Sequence, residues 1–286
     1  MTANAPTRLN SRPFVFNLLH SRQKQRSTSF DQRFDSCIPP THSREVSVSL
    51  PAIRWKSEAS TLKPFTTIAQ ARTSEGAELT LHSHDDHYYL RVNRQPLMGT
   101  NASTSERVLA EQACAKLTGV GGARVLIGGL GFGFTLKRVL QLVAKDAIVE
   151  VAELLPEVVT WNREFLGHLN GKLLDDPRVK ITIGDVFQII NRAPDAHFDA
   201  IMLDVDNGPI AMVHDGNSRL YSTRGFDAIS RVLKPRSRVA FWSASQDDAF
   251  AKRLGLAGYK VKAVAAKAYE QARRPSHTIF VGDRVG

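Results

Sequence analysis

Cysteine is scarce in this 286-residue chain: Cys37 and Cys114 stand far apart, and neither has a second cysteine or histidine at metal-ligand spacing. That excludes a disulfide scaffold and a zinc-finger-type site. Both cysteines read as free thiols in a reducing compartment, and the cytoplasm is the expected location. Also lacking is any run of about 18 apolar residues, the length a membrane-spanning helix requires. The best apolar stretches are strand-sized, such as Ala123–Ile127, so no membrane partner is expected. A dense basic face is missing too, although the formal charge is +10. Residues 1–60 hold nine Lys/Arg against four Asp/Glu, and the rest of the excess is spread thinly over the remaining chain. The tail arginines show no stacking platform of the kind single-strand binders use, so nucleic acid is not an expected partner.

What is present begins with 42% hydrophobic residues, enough to bury the core of one large domain or one domain with attachments. Residues 1–50 are rich in Ser, Thr, Arg, Asn and Pro with little apolar periodicity, and they read as a disordered or targeting extension. The first thirty contain no acid, in the manner of an organellar transit peptide, whereas the apolar region and cleavage site of a secretory signal are missing. A solvated extension is the simpler reading, with organellar import as the alternative. Residues 51–102 form a small N-terminal region in which Glu78–Met98 alternates as a β-hairpin broken at Asp85-Asp86. From Ser103 the spacing of Val108, Leu109, Ala113 and Leu117 predicts a helix, with Ser103 and Glu106 as a capping box and Gly119, Gly121 and Gly122 ending it.

Residues 103–286 alternate strands and helices. The expected strands are Ala123–Ile127, Ala147–Ala152, Val179–Ile183, Ala200–Leu203, Arg238–Trp242, Lys260–Val264 and Thr278–Val281. Alternation of this kind specifies an α/β fold, a Rossmann-like seven-stranded sheet of methyltransferase type with helices on both faces. Between the first strand and its helix lies Gly128-Gly129-Leu130-Gly131-Phe132-Gly133. Gly129, Gly131 and Gly133 give a G-x-G-x-G spacing that lets a ligand approach the backbone, and Phe134 at the third dinucleotide-fingerprint position disfavours a nicotinamide or flavin. Glu153 ends the second strand, where an acid accepts from ribose hydroxyls, with Leu154 beside it. Asp185 ends the third strand, placed to accept from an adenine amine, and Val186 and Phe187 supply apolar contact to the ring. The fourth strand runs into Leu203-Asp204-Val205-Asp206-Asn207-Gly208-Pro209.

These four segments together, from Arg124 to Asp283, resemble the spermidine synthase-like branch of the class I methyltransferase superfamily, the aminopropyltransferases. The resemblance implies decarboxylated S-adenosylmethionine or S-adenosylmethionine as co-substrate, a small-molecule amine as acceptor, no metal, and a homodimer through N-terminal strands. It assigns the proton acceptor to Asp204 and the hold on the amine's cationic part to Asp206. It further matches Gln95 to a hairpin glutamine and lets Tyr221 cover the site. The acid segment is shorter than the family's Asp-x-x-Asp-Pro-x-Gly-Pro, and the family's tyrosine before a glutamate is replaced within Val108-Leu109-Ala110-Glu111. A methyltransferase and a non-catalytic nucleoside-binding protein of the same fold remain the competing readings. One further string, His82-Ser83-His84-Asp85-Asp86-His87, matches the H-x-H-x-D-H of two-metal hydrolases, but the strand-like Tyr88–Val92 that follows makes it the polar tip of a hairpin.

Overall fold

Parallel strands buried on both faces must be apolar almost throughout, and the central strand here is Val, Leu and Ile flanked by Arg124 and Gly128. The computed structural model describes residues 64–205 and 215–285, which fall in one compact unit, Ser60–Gly286. The 1–50 extension and Asp206 lie outside the described residues.

The main sheet contains β5 (Arg124–Gly128), β6 (Ile148–Glu153), β7 (Val179–Ile183), β8 (Phe198–Leu203), β9 (Leu233–Ser243), β10 (Tyr259–Ala266) and β11 (His277–Arg284). Their order is β10-β11-β9-β8-β5-β6-β7, with β11 antiparallel to both of its neighbours and the rest parallel. This is the seven-stranded methyltransferase-type α/β fold. Successive residues of β5 feed opposite layers: Val125 and Ile127 pack with Val149 and Leu136, whereas Leu126 packs with Ile201 and Phe241. The helices α2 (Phe134–Leu142), α3 (Pro156–Glu164), α4 (Gly167–Asn170), α5 (Val186–Arg192), α6 (Thr223–Val232) and α7 (Asp248–Leu256) connect the strands. Asp185, Ser222 and Asp247 each accept a backbone N–H at the start of α5, α6 and α7. From β5 the chain winds outward through β6 to β7 and then returns to β8 on the other side of β5. The strand ends on either side of that reversal open the crevice where such sheets bind ligands.

Four antiparallel strands precede the sheet: β1 (Thr66–Arg72), β2 (Glu78–His84), β3 (His87–Val92) and β4 (Gln95–Gly99), paired in chain order. The expected hairpin is therefore the middle of a larger sheet. The sequence of β1, TTIAQAR, carries no fully buried residue and so no clear alternation. Leu79, Leu81 and Leu90 form its buried face. Asp85 and Asp86, with φ of 48° and 62°, make a two-residue turn of the type that matches strand twist. His84 pairs with His87 across that turn, and His82 contacts the hydroxyls of Thr67 and Thr80. Among the described residues no three His, Cys, Asp or Glu side chains converge as metal ligands. No described helix is long and apolar enough to cross a membrane.

Helix α1 (Thr104–Cys114) corrects the capping expectation: Ser103 makes no side-chain cap bond, and Glu106 instead accepts from Ser105 Oγ at 2.7 Å. It also ends before the three glycines, which lie in turns beyond it.

Behind the sheet, Phe241 meets Phe226, Phe250 and Tyr221 with ring centroids 5.1 to 6.2 Å apart. Phe241 is fully buried, so Phe241→Ala should destabilise the fold by about 3–5 kcal/mol in urea denaturation. A loss under 1 kcal/mol would show that this layer collapses freely onto the gap.

Candidate active site

The glycine loop after β5 is shaped by one close approach. Gly129 has φ of 93°, and a Cβ there would lie 2.2 Å from the carbonyl oxygen of Asp204. The loops leaving β5 and β8 thus touch backbone to backbone, which fixes where Asp204 begins. Gly131, at φ 51°, lies beneath Met98, where a Cβ would stand 3.2 Å from the sulfur. Gly133 is the N-cap of α2, and a Cβ there would press on Leu173 and Asn170.

Glu153 is only 7% exposed, and its two carboxylate oxygens accept from Leu130 N at 2.8 Å and Leu155 N at 2.9 Å. Burial pushes its pKa up, and bonds from the Leu155, Leu130, Gly131 and Leu154 amides hold it down. The other edge of the loop is held through its carbonyls. Asn162 Nδ2 donates to Gly131 O at 2.8 Å and Asn170 Nδ2 donates to Phe132 O at 2.6 Å. Neither asparagine was expected from sequence, because no local pattern marks a side chain that reaches a loop about thirty or more residues away.

Asp185 Oδ1 accepts from Phe187 N at 2.8 Å, and Oδ2 pairs with Arg219 at 2.7 Å. The Arg219 guanidinium also lies over the Phe187 ring at 4.9 Å. Asp204 is half-buried, and Thr135 Oγ1 lies 3.5 Å from its Oδ2. Burial, then the negative charge of Glu106, push the Asp204 carboxyl up to about 8. The Glu106 carboxyl is itself raised by burial, against the hydrogen bond from Ser105 and the charge of Arg107.

These groups share one cavity of about 290 Å³, near the lower end for a small-molecule site. Gly129, Gly131, Glu153, Leu154, Asp185, Val186 and Asp204 all line it, and Leu90, Leu97 and Met98 of the N-terminal sheet close it from above. Besides Gly133, which does not line it, two expected residues are elsewhere. Gln95 is exposed at the start of β4 and does not line the cavity, because it faces out where the strand begins. Tyr221 is buried against Phe241 and Phe250, where its ring fills the core. In their place the structure brings in Glu106, Trp242 and His277.

A strand-end crevice with a glycine loop, a buried acid on the next strand and an acid on the fourth sits on a sheet of the methyltransferase fold. Residues 112–245 match the family model described as the spermine/spermidine synthase domain. That stretch, a little under half of the chain, is similar to the spermidine synthase-like branch of this superfamily. Putrescine N-methyltransferase 1 of Nicotiana tabacum is 32% identical over 112 residues, 39% of this chain and 28% of that protein. Polyamine aminopropyltransferase 1 of Streptomyces coelicolor is 33% identical over 147 residues, 48% of this chain and 26% of that protein. The chain thus spans little more than a quarter of the length of the curated relatives it matches. Among solved structures, a spermidine synthase in complex with the transition state analogue AdoDATO shares the fold with a TM-score of 0.63 and 17% identity, over 77% of this chain and 74% of that one. The spermidine synthase of Thermotoga maritima gives a TM-score of 0.60 and 16% identity, over 77% and 72% of the two chains.

Two outcomes follow from this geometry. Gly129→Ala must push the β5 and β8 loops apart, so it should abolish methylthioadenosine binding in calorimetry while the protein stays folded by circular dichroism; unchanged affinity would remove the loop from the site. The second concerns Asp204. An unfolded aspartate ionises near pH 3.9, so the folded form retains a proton that the unfolded chain gives up between about pH 4 and 8. Stability should therefore fall across that window, by at most about 1.4 kcal/mol per pH unit, and fall less steeply in Asp204→Asn. Denaturant titrations at pH 5 and pH 8 measure the slope.

Proposed function

We propose that this protein transfers an aminopropyl group from decarboxylated S-adenosylmethionine to a small amine. The observation that carries the reading is the placement of Asp204 in the same cavity as the Gly129 loop and Glu153, one backbone contact from the loop. A nucleoside fits what lines that end of the cavity. The Glu153 carboxylate, held in place by loop amides, stands at that end to accept from a ribose hydroxyl. Leu154, Leu155 and Val186 offer apolar contact to a base, and Asp185 stands beside them to accept from an exocyclic amine.

The chemistry needs a proton acceptor, because an alkylammonium with a pKa near 10 has no lone pair to attack with. The Asp204 carboxylate takes one proton from the ammonium. The freed nitrogen bonds the carbon beside the sulfonium, the carbon–sulfur bond breaks with its electron pair going to sulfur, and a neutral thioether leaves. The product keeps one positive charge on nitrogen, and the proton on Asp204 returns to solvent. Asp206 is assigned the distal cation of the amine on resemblance alone, and a homodimer through the N-terminal strands belongs to the same proposal. So does a cytoplasmic location.

Methyl transfer from S-adenosylmethionine is the second reading, favoured by the identity to putrescine N-methyltransferases. The two are separated by product: methylthioadenosine from decarboxylated S-adenosylmethionine with putrescine, S-adenosylhomocysteine from the carboxylated form. We expect methylthioadenosine, and Asp204→Asn should lower kcat by roughly 10²–10⁴-fold with methylthioadenosine affinity retained. No product from either donor across several amines would reject both enzymes in favour of a nucleoside-binding protein.

A further inference from the structure

The cavity runs along the carboxyl rim of the sheet, and the strand order divides it. Asp185, Glu153 and Gly129 follow β7, β6 and β5, which are consecutive in the sheet. Asp204 follows β8, and beyond it Trp242 lies near the end of β9 and His277 at the start of β11. Because β11 is antiparallel to β9, its first residues lie at that same rim, with Thr278 opposite Ser243 and Ile279 opposite Trp242. The proposed nucleoside occupies the β5–β7 half. The β8–β11 half is left for the acceptor, and α1, which packs on β8, β9 and β11, lays Glu106 against it.

We propose that Glu106 is an amine-binding residue: with Asp204 it forms a two-carboxylate cradle for the attacking ammonium, walled by the Trp242 and His277 rings. The proposal rests on the transferase reading above and names the subsite that reading leaves open. Several observations support it. Glu106 lines the cavity rather than capping α1, and its carboxylate is turned by Ser105 Oγ, a side chain that is itself 2% exposed. Glu106 and Asp204 line the same cavity, and the Glu106 charge helps push the Asp204 carboxyl up. Trp242 and His277 lie with centroids 4.8 Å apart and ring planes tilted by 36°, an aromatic wall of the kind that attracts a cation or packs along an alkyl chain. The groups facing the pair are Thr135 from α2, Ser105 and Arg107 from α1, His277 from β11, and the Glu153 and Asp185 carboxylates from the other half of the rim. His277 is half-buried and its pKa is lowered by that burial, so at neutral pH it offers a ring rather than a competing positive charge. Two acids near each other in a largely apolar cavity are costly to ionise, and an ammonium between them offsets that cost through charge-assisted hydrogen bonds to both.

The test uses the full chain saturated with methylthioadenosine and titrated calorimetrically with putrescine from pH 6 to 9. Glu106→Gln should weaken putrescine by about tenfold or more. It should also move the midpoint of the pH dependence to lower pH, because the amide no longer holds a proton on Asp204 by repulsion. Methylthioadenosine affinity should stay within about twofold, the spread expected where no contact is lost. Glu106→Asp, which keeps the charge, should restore part of the affinity. Glu111→Gln, on the same helix but ion-paired with Arg138, should match the wild type. If wild type and Glu106→Gln bind putrescine equally and with the same midpoint, the cradle is wrong while the transferase reading stands. If the wild-type protein binds methylthioadenosine but no amine, the cradle is equally wrong. If it binds no methylthioadenosine, the reading itself fails and takes the cradle with it.

Discussion

The site depends on one carboxylate that is hydrogen-bonded before any ligand arrives. Glu153 stands at the end of β6, almost wholly buried, and takes an amide from the glycine loop after β5 and another from the turn into α3. A buried acid in that position is expensive alone, and its partners are what make it tolerable. Because those partners belong to two different loops, satisfying the acid also sets the distance between them. The glycine loop then has little freedom left, since Asn162 and Asn170 hold its carbonyls and Gly129 abuts the Asp204 carbonyl. A preorganised floor of this kind spares the ligand the cost of ordering it.

Much of this could be read before any coordinates. Strands buried on both faces announce themselves as short apolar runs, and Val179–Ile183 carries the same bounds in sequence and structure. The acids at strand ends were legible because strand–helix alternation fixes which side of the sheet each turn occupies. Glu106 was not, because an acid at the start of a helix looks the same whether it serves a cap or faces a cavity. Tyr221 and Gln95 show the reverse error: a side chain matched by position in the chain says nothing about its rotation. The ring of Tyr221 went to the aromatic layer behind the sheet, and Gln95 faces outward. β1 escaped notice because a strand with no buried residue has no period to detect.

The acid pair places stability and chemistry in opposition. Asp204 holds its proton in the folded protein up to about pH 8, where an exposed aspartate would have lost it some four pH units earlier. Ionising it is unfavourable without a nearby cation, so on the proposed transfer the free site favours the protonated acid and the amine-loaded site the base. The same burial that weakens the fold at neutral pH therefore makes the carboxylate a stronger acceptor where it is needed.

The ceiling of the cavity comes from a different sheet than its floor. Below are hydrogen-bonded acids and glycines with no slack; above are Leu90, Leu97 and the unbranched, pliable thioether of Met98, which settles onto Gly131. Under the proposed transfer, a rigid base under a soft lid lets headroom change by a methylene at a time without redrawing the recognition of the donor. On that proposal, divergence among acceptors can accumulate in the antiparallel roof while the rim beneath it stays as it is.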